Sequence, residues 1–161
     1  MKIHRIDHVG IIVNDLPAVK AFFLDFGLEM LGEGKVEGEW VERMERIIGL
    51  PNDKEVAELQ KSNGEANIEL VMLRTPDGDA NIELVKFHSP LDENGIQRSA
   101  TNTQGIQHIA FAVEDIEALV TKLTKKGAGL IGDIYNYENV YKLCYIRGPE
   151  GIILELAEEI K

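Results

Sequence analysis

Apolar and polar residues alternate in two short stretches of the chain. In "IDHVGIIV" (6 to 13), Val9, Ile11 and Val13 fall on one side, and Ile6, His8, Gly10 and Ile12 on the other. In "IQHIAFAV" (106 to 113), Ile109, Phe111 and Val113 oppose Ile106, His108, Ala110 and Ala112. A period of two predicts a strand in each place. After each strand the apolar spacing turns helical. Leu16, Val19, Phe22, Phe23 and Phe26 predict a helix over about 16–26, with Asp15 as N-cap, Pro17 in the first turn and Gly27 as the stop. Ile116, Leu119, Val120 and Leu123 predict a second helix over about 116–126, capped by Asp115 and stopped by Gly127.

The two patterns share one register. Ile6 and Ile106, His8 and His108, Val13 and Val113, Asp15 and Asp115, Gly27 and Gly127, and Gly32 and Gly132 are each one hundred positions apart. Such a run through strand, helix and turn marks an internal duplication. A second echo follows: "TPDGDANIELV" (75 to 85) resembles "GPEGIILELA" (148 to 157), a Pro-acid-Gly turn leading into a strand with one glutamate. Pro76 and Pro149 break the hundred-residue register, so the first half carries extra residues, placed at about 33–70. Trp40, Met44, Ile47 and Ile48 predict a helix within that insertion, ended by Gly49 and Pro51. Each half therefore reads strand, helix, three strands. Module one covers 4–90, module two 104–158, and 1–161 is expected to be a single domain.

Composition narrows the function. The net charge of −11 opposes non-specific nucleic-acid binding, which needs a cationic face. No apolar run approaches the ~20 residues needed to span a bilayer, so no membrane partner is expected. The first ten residues lack the apolar core of a signal peptide, and a cytoplasmic protein is expected. Cys144 is the single cysteine and sits in an apolar run, as a buried reduced thiol would.

The candidate chemistry lies on the histidine faces. His8 and His108 have small neighbours, Gly10 and Ala110, which leave space beside each ring. Glu83 and Glu155 each stand between apolar residues that point the other way. A carboxylate facing an interior is costly unless it is paired or bound to a metal. Two imidazoles and two carboxylates on one concave surface form a divalent transition-metal site with positions left for water or substrate. Because "NIELV" occurs at both 67–71 and 81–85, Glu69 competes with Glu83. A tight turn at Asp77-Gly78 would set Met72 opposite Glu83 and put Glu69 on the other face; a slip or bulge would reverse this.

With these residues in place, the chain resembles the vicinal-oxygen-chelate superfamily, the group of glyoxalases, bleomycin-resistance proteins and extradiol dioxygenases. The likeness covers about 4–158 apart from the insertion. It implies an α+β fold of two paired βαβββ modules forming a cupped mixed sheet. It also implies a metal held by His8, Glu83, His108 and Glu155. The implied activity is that of a divalent-metal-dependent lyase or isomerase acting on a small oxygenated or thioester metabolite through a metal-stabilised enolate, glyoxalase-like or epimerase-like. Glu83 and Glu155 would be its candidate bases, one on each side of the substrate carbon. The implied cofactor is Zn, Ni or Co. One alternative is an extradiol ring-cleaving dioxygenase with Fe(II), against which a fourth ligand at Glu83 counts. Another is a non-catalytic binding or resistance protein, against which the intact ligand set counts. Glyoxalase I commonly has an asparagine four residues after the first-module glutamate, where this chain has Phe87. A homodimer is implied, with the site closed within one chain or across two.

The remaining polar candidates carry weaker signals. His4 is expected at the surface, and His88 at the cleft rim or in solvent. Arg98 and Asn102, in a polar loop, are placed to meet an anionic substrate tail or to serve as ordinary loop residues. Trp40 and Met44 would form a lid, an apolar wall or a dimer contact.

Overall fold

A computed structural model of the chain describes residues 1–37, 49, 68–88, 92 and 94–161. The elements group into two compact units, Met1–Glu93 and Asn94–Lys161. The helix expected around Trp40–Ile48 lies outside the described residues.

The first unit runs β1 (Val9–Ile12), α1 (Leu16–Phe26), β2 (Glu29–Val36), β3 (Ile68–Arg74) and β4 (Asn81–Phe87). Its sheet has the order β1-β4-β3-β2; β1 is parallel to β4 and the other pairs are antiparallel. The second unit repeats it: β5 (His108–Ala112), α2 (Ile116–Lys125), β6 (Gly129–Tyr137), β7 (Tyr141–Arg147) and β8 (Ile153–Glu159), in the order β5-β8-β7-β6. Each is the βαβββ module expected from the sequence, and the fold class is α+β.

Local chemistry sets the helix ends. The Asp15 carboxylate accepts from the backbone N–H of Ala18 at 3.0 Å, and Gly27 ends α1 at φ 122°. Asp115 caps α2 in the same way, accepting from Ala118 at 3.2 Å. Each helix buries its apolar stripe on one face of its sheet. Leu16, Val19, Phe22 and Phe23 are buried with Val71, Leu73, Ile82 and Leu84; Ile116, Val120 and Leu123 with Cys144, Ile146, Leu154 and Leu156. Each such large side chain contributes roughly 1.5–3 kcal/mol when fully buried. Cys144 is 2% exposed and burial pushes its thiol up to about 11, so it packs as an inert hydrophobe.

The other face of each sheet carries the candidate chemistry. The turn after β3 settles the register: Thr75 donates its N–H to the Ala80 carbonyl, Met72 stands opposite Glu83, and Glu69 opposite Lys86. Glu83 and Glu69 therefore point to opposite faces. Below Glu83, the rows Leu70–Val85 and Ile68–Phe87 pack with Val36 as an apolar floor.

Candidate functional site

In the first unit His8 immediately precedes β1, and Gly10 lies beside Glu83 across the parallel pair. A side chain added at Gly10 would meet nothing within 4 Å, so the space beside the ring is open. The His8 Nε2 lies 4.0 Å from Glu83 Oε2. The other ring nitrogen, Nδ1, is 2.9 Å from Asp7 Oδ2 and donates to it, while Arg5 holds the second Asp7 oxygen at 2.9 Å. That tautomer leaves the Nε2 lone pair facing Glu83. The hydrogen bond to Asp7 raises the His8 pKa above the ordinary imidazole value, and the charge of Glu83 adds to the effect against the opposing pull of burial.

In the second unit His108 opens β5, and Ala110 lies beside Glu155. Here Nε2 is 3.1 Å from Glu155 Oε2. Tyr145 stands opposite Glu155 on β7 and meets the His108 ring edge-on at 5.2 Å between centroids. Burial and then the Glu155 charge raise the Tyr145 pKa, so its hydroxyl stays protonated as a donor.

Ligands bonded to one zinc-like ion at 2.0–2.2 Å stand about 3.0–3.4 Å apart, depending on octahedral or tetrahedral geometry. The pair His108–Glu155, at 3.1 Å, has that spacing, and His8–Glu83, at 4.0 Å, is wider. The donor types, imidazole nitrogen and carboxylate oxygen, fit a divalent transition metal. Within each unit the donors form a pair; among the described residues, no group of three or more His, Cys, Asp or Glu is close enough to hold an ion.

The other candidates fall elsewhere. Glu69 belongs to a separate cluster: His88 Nε2 is 2.7 Å from Glu69 Oε2, and Lys35 Nζ is 3.5 Å from Oε1. That hydrogen bond with His88, more than the charges around it, holds the Glu69 carboxyl below its usual range. His88 is thus tied to a carboxylate on the face away from Glu83. His4, Arg98 and Asn102 are exposed. Phe87 belongs to the apolar floor beneath Glu83.

Two residues escaped the sequence reading: Asp7 and Tyr145. Asp7 directly precedes His8. Tyr145 could have been found by counting strand partners back through the Pro149 turn.

The profile described as the glyoxalase/bleomycin resistance protein/dioxygenase superfamily matches residues 7–145. Among solved structures, a glyoxalase family protein from Bacillus cereus is 39% identical, with a TM-score of 0.84, over 100% of this chain and 97% of that one. The trypanothione-dependent glyoxalase I of Leishmania major is 19% identical, with a TM-score of 0.60, over 97% of this chain and 87% of its own. The fosfomycin resistance protein FosX of Listeria monocytogenes is 14% identical, with a TM-score of 0.60, over 96% of this chain and 93% of its own. At those lower identities the likeness concerns the fold alone. Among curated proteins no sequence matches this chain. The duplicated βαβββ modules, the matching profile and the near-complete overlap with the Bacillus cereus protein place the chain in a family: it belongs to the glyoxalase/bleomycin resistance protein/dioxygenase superfamily.

Proposed function

We propose that the chain is a divalent-metal-dependent lyase or isomerase that moves a proton on a carbon next to a carbonyl of a small oxygenated or thioester metabolite. One observation carries this reading: each unit offers the same pair, an imidazole Nε2 facing a glutamate, from matching positions of a duplicated fold. His8, Glu83, His108 and Glu155 would hold one ion, the two pairs coming from one chain or from two copies in a homodimer. When bound, zinc, nickel or cobalt supplies a Lewis acid that stabilises negative charge on the substrate oxygen.

The chain's own residues do the rest. Asp7 fixes the His8 tautomer that exposes Nε2. Tyr145 presents a protonated hydroxyl opposite the Glu155 carboxylate. Among the described residues the Glu83 carboxylate has only the longer contact with His8, so it can swing to take a proton from the substrate carbon and return it to an adjacent atom. The apolar floor of Leu70, Val85 and Phe87 beside it excludes water from one side.

The test is metal analysis of purified chain, followed by removal and restoration. Nickel, cobalt or zinc that restores solvent-deuterium exchange at the carbon next to a carbonyl supports the proposal. Activity restored only by ferrous iron with oxygen consumption would replace it with a dioxygenase. Failure to take up any divalent ion would leave a non-catalytic binding protein.

A further inference from the structure

The duplication contains a charge that one unit neutralises and the other does not. In the first unit Arg74 ends β3, on the face of Glu83, and stands opposite Glu29 at the start of β2. The Glu29 carboxylate lies 3.3 Å from Arg74 Nε. In the second unit the corresponding arginine is Arg147, which ends β7 on the face of Glu155. The position opposite is Gly129, where an added side chain would meet nothing within 4 Å. Space remains where the acid would be.

Among the described residues, the partners of Arg147 are two carbonyls. Its Nη1 donates to the Gly151 carbonyl at 3.1 Å and its Nη2 to the Ser99 carbonyl at 2.8 Å. A guanidinium has five N–H donors, so three are left over. No carboxylate lies within 4 Å of it among the described residues, although the chain as a whole carries a net charge of −11. A half-buried cation without a counter-charge is costly. A second arginine borders the same turn: a Cβ built at Gly151 would lie 3.1 Å from Arg98 Cγ and 3.7 Å from Arg147 Nη1. Arg98 likewise has no ion pair among the described residues.

The row across the sheet fixes what lies nearby. Arg147 stands opposite Ile153, which stands opposite His108; the next row holds Tyr145, Glu155 and Ala110. Neighbouring strands are about 4.8 Å apart and alternate residues on a strand about 6.6 Å apart. Arg147 is thus one row from Glu155 on the same face.

We infer that Arg147 and Arg98 form an oxyanion-binding subsite, and that the substrate is a short organic anion carrying a carboxylate or phosphate a few bonds from its reacting carbon. The planar fork of Arg147 suits either group. The subsite itself needs only the arginines; its place in a reaction rests on the metal-centre reading above.

The test titrates inorganic phosphate and, separately, acetate into metal-free protein at constant ionic strength, reading the arginine Nε–Hε signals by NMR. The expected result is a saturable shift of the Arg147 and Arg98 signals, with the tighter of the two anions naming the class. In R98Q, which breaks no hydrogen bond, binding should weaken about tenfold. In G129E, which recreates the arrangement of Arg74 with Glu29, binding should weaken at least as much although both arginines remain. Absence of a saturable shift with either anion, or unchanged binding in G129E, overturns the inference. Metal uptake measured on the same samples separates the two claims. Uptake of metal without anion binding sinks only the subsite, and anion binding without metal uptake sinks only the metal centre.

Discussion

Asp7 holds the ring of His8, with Oδ2 2.9 Å from Nδ1, and His108 has no such carboxylate in the matching place. The residue before His108 is Gln107, whose amide is occupied by the Ser99 hydroxyl and the Gln104 carbonyl. The two halves thus support their donors differently. The first fixes its imidazole through a carboxylate. The second sets the Tyr145 hydroxyl opposite its glutamate.

A carboxylate behind a ligating imidazole orients the ring and raises its basicity, and losing one costs about 10–100-fold in metal affinity. D7N should lose affinity for zinc or nickel within that range by competition with a chromophoric chelator. Q107A, at the matching place, should change it by less than threefold if the chain still folds. Equal losses in both variants would mean that Asp7 has no special part in presenting His8.

The same pair gives the metal-free protein a pH signature. The hydrogen bond to Asp7 raises His8 above the ordinary imidazole value of 6.5, so its contribution to stability is fully present below 6.5 and disappears as pH rises through the higher folded value. Asp7 is lowered below 3.8, so its contribution is present above 3.8 and disappears as pH falls through the lower folded value. The stabilisation therefore occupies the window between those limits. Thermal unfolding in the presence of chelator should show D7N melting below the parent chain inside that window, and converging with it once pH has risen past the folded His8 value. A deficit that stays constant with pH would assign the loss to something other than this ion pair.

The helix caps offer a comparison within one molecule. Asp15 caps α1 from φ −106°, but Asp115 caps α2 from the left-handed region, at φ 51°. Removing a cap costs about 1 kcal/mol, and alanine tolerates the left-handed backbone that Asp115 already occupies less well than aspartate does. D15A should therefore destabilise by about 1 kcal/mol and D115A by about 1–2 kcal/mol. Glycine adopts the left-handed region freely and replaces a capping residue at a cost of about 0.3 kcal/mol, so D115G should lose less than either in chemical denaturation. Equal losses for D115A and D115G would show that the backbone at Asp115 relaxes without cost.

The helices, their caps and the faces of the strands were legible because each rests on local chemistry: a stripe of Leu, Val and Phe, an aspartate ahead of it, a glycine after it. Between Glu69 and Glu83 the sequence left the choice open, because a slip or bulge would exchange their faces; the Thr75–Ala80 hydrogen bond and the Met72–Glu83 register show which face each takes. Less could be read where a role depends on a partner across the sheet. Nothing around His88 in the sequence points to Glu69, nineteen residues earlier, yet the two share a hydrogen bond. Arg147 looks like an ordinary strand end until its neighbour is found to be Gly129 where Arg74 has Glu29. The contrast between two copies of one fold, visible only once the register is known, reveals the missing charge.

The unequal support also separates the two glutamates. Glu155 is 3.1 Å from His108 and stands opposite Tyr145, a hydroxyl donor, while Glu83 is 4.0 Å from His8 and stands opposite Met72, which has no donor to offer it. A ligand already in position contributes fully to binding an ion; one that must rotate contributes less, and is freer to leave and take a proton. E155Q should therefore lose the larger share of metal affinity, on the order of 100-fold. E83Q should keep most of its metal and lose proton exchange instead, with a drop in kcat of about 10²–10⁴-fold. Y145F should shift E155-dependent metal affinity in the direction of E155Q, while adding no loss to the E155Q variant itself. If E83Q and E155Q lose metal and exchange in equal proportion, the two carboxylates are equivalent ligands and the difference in their surroundings has no bearing on the chemistry.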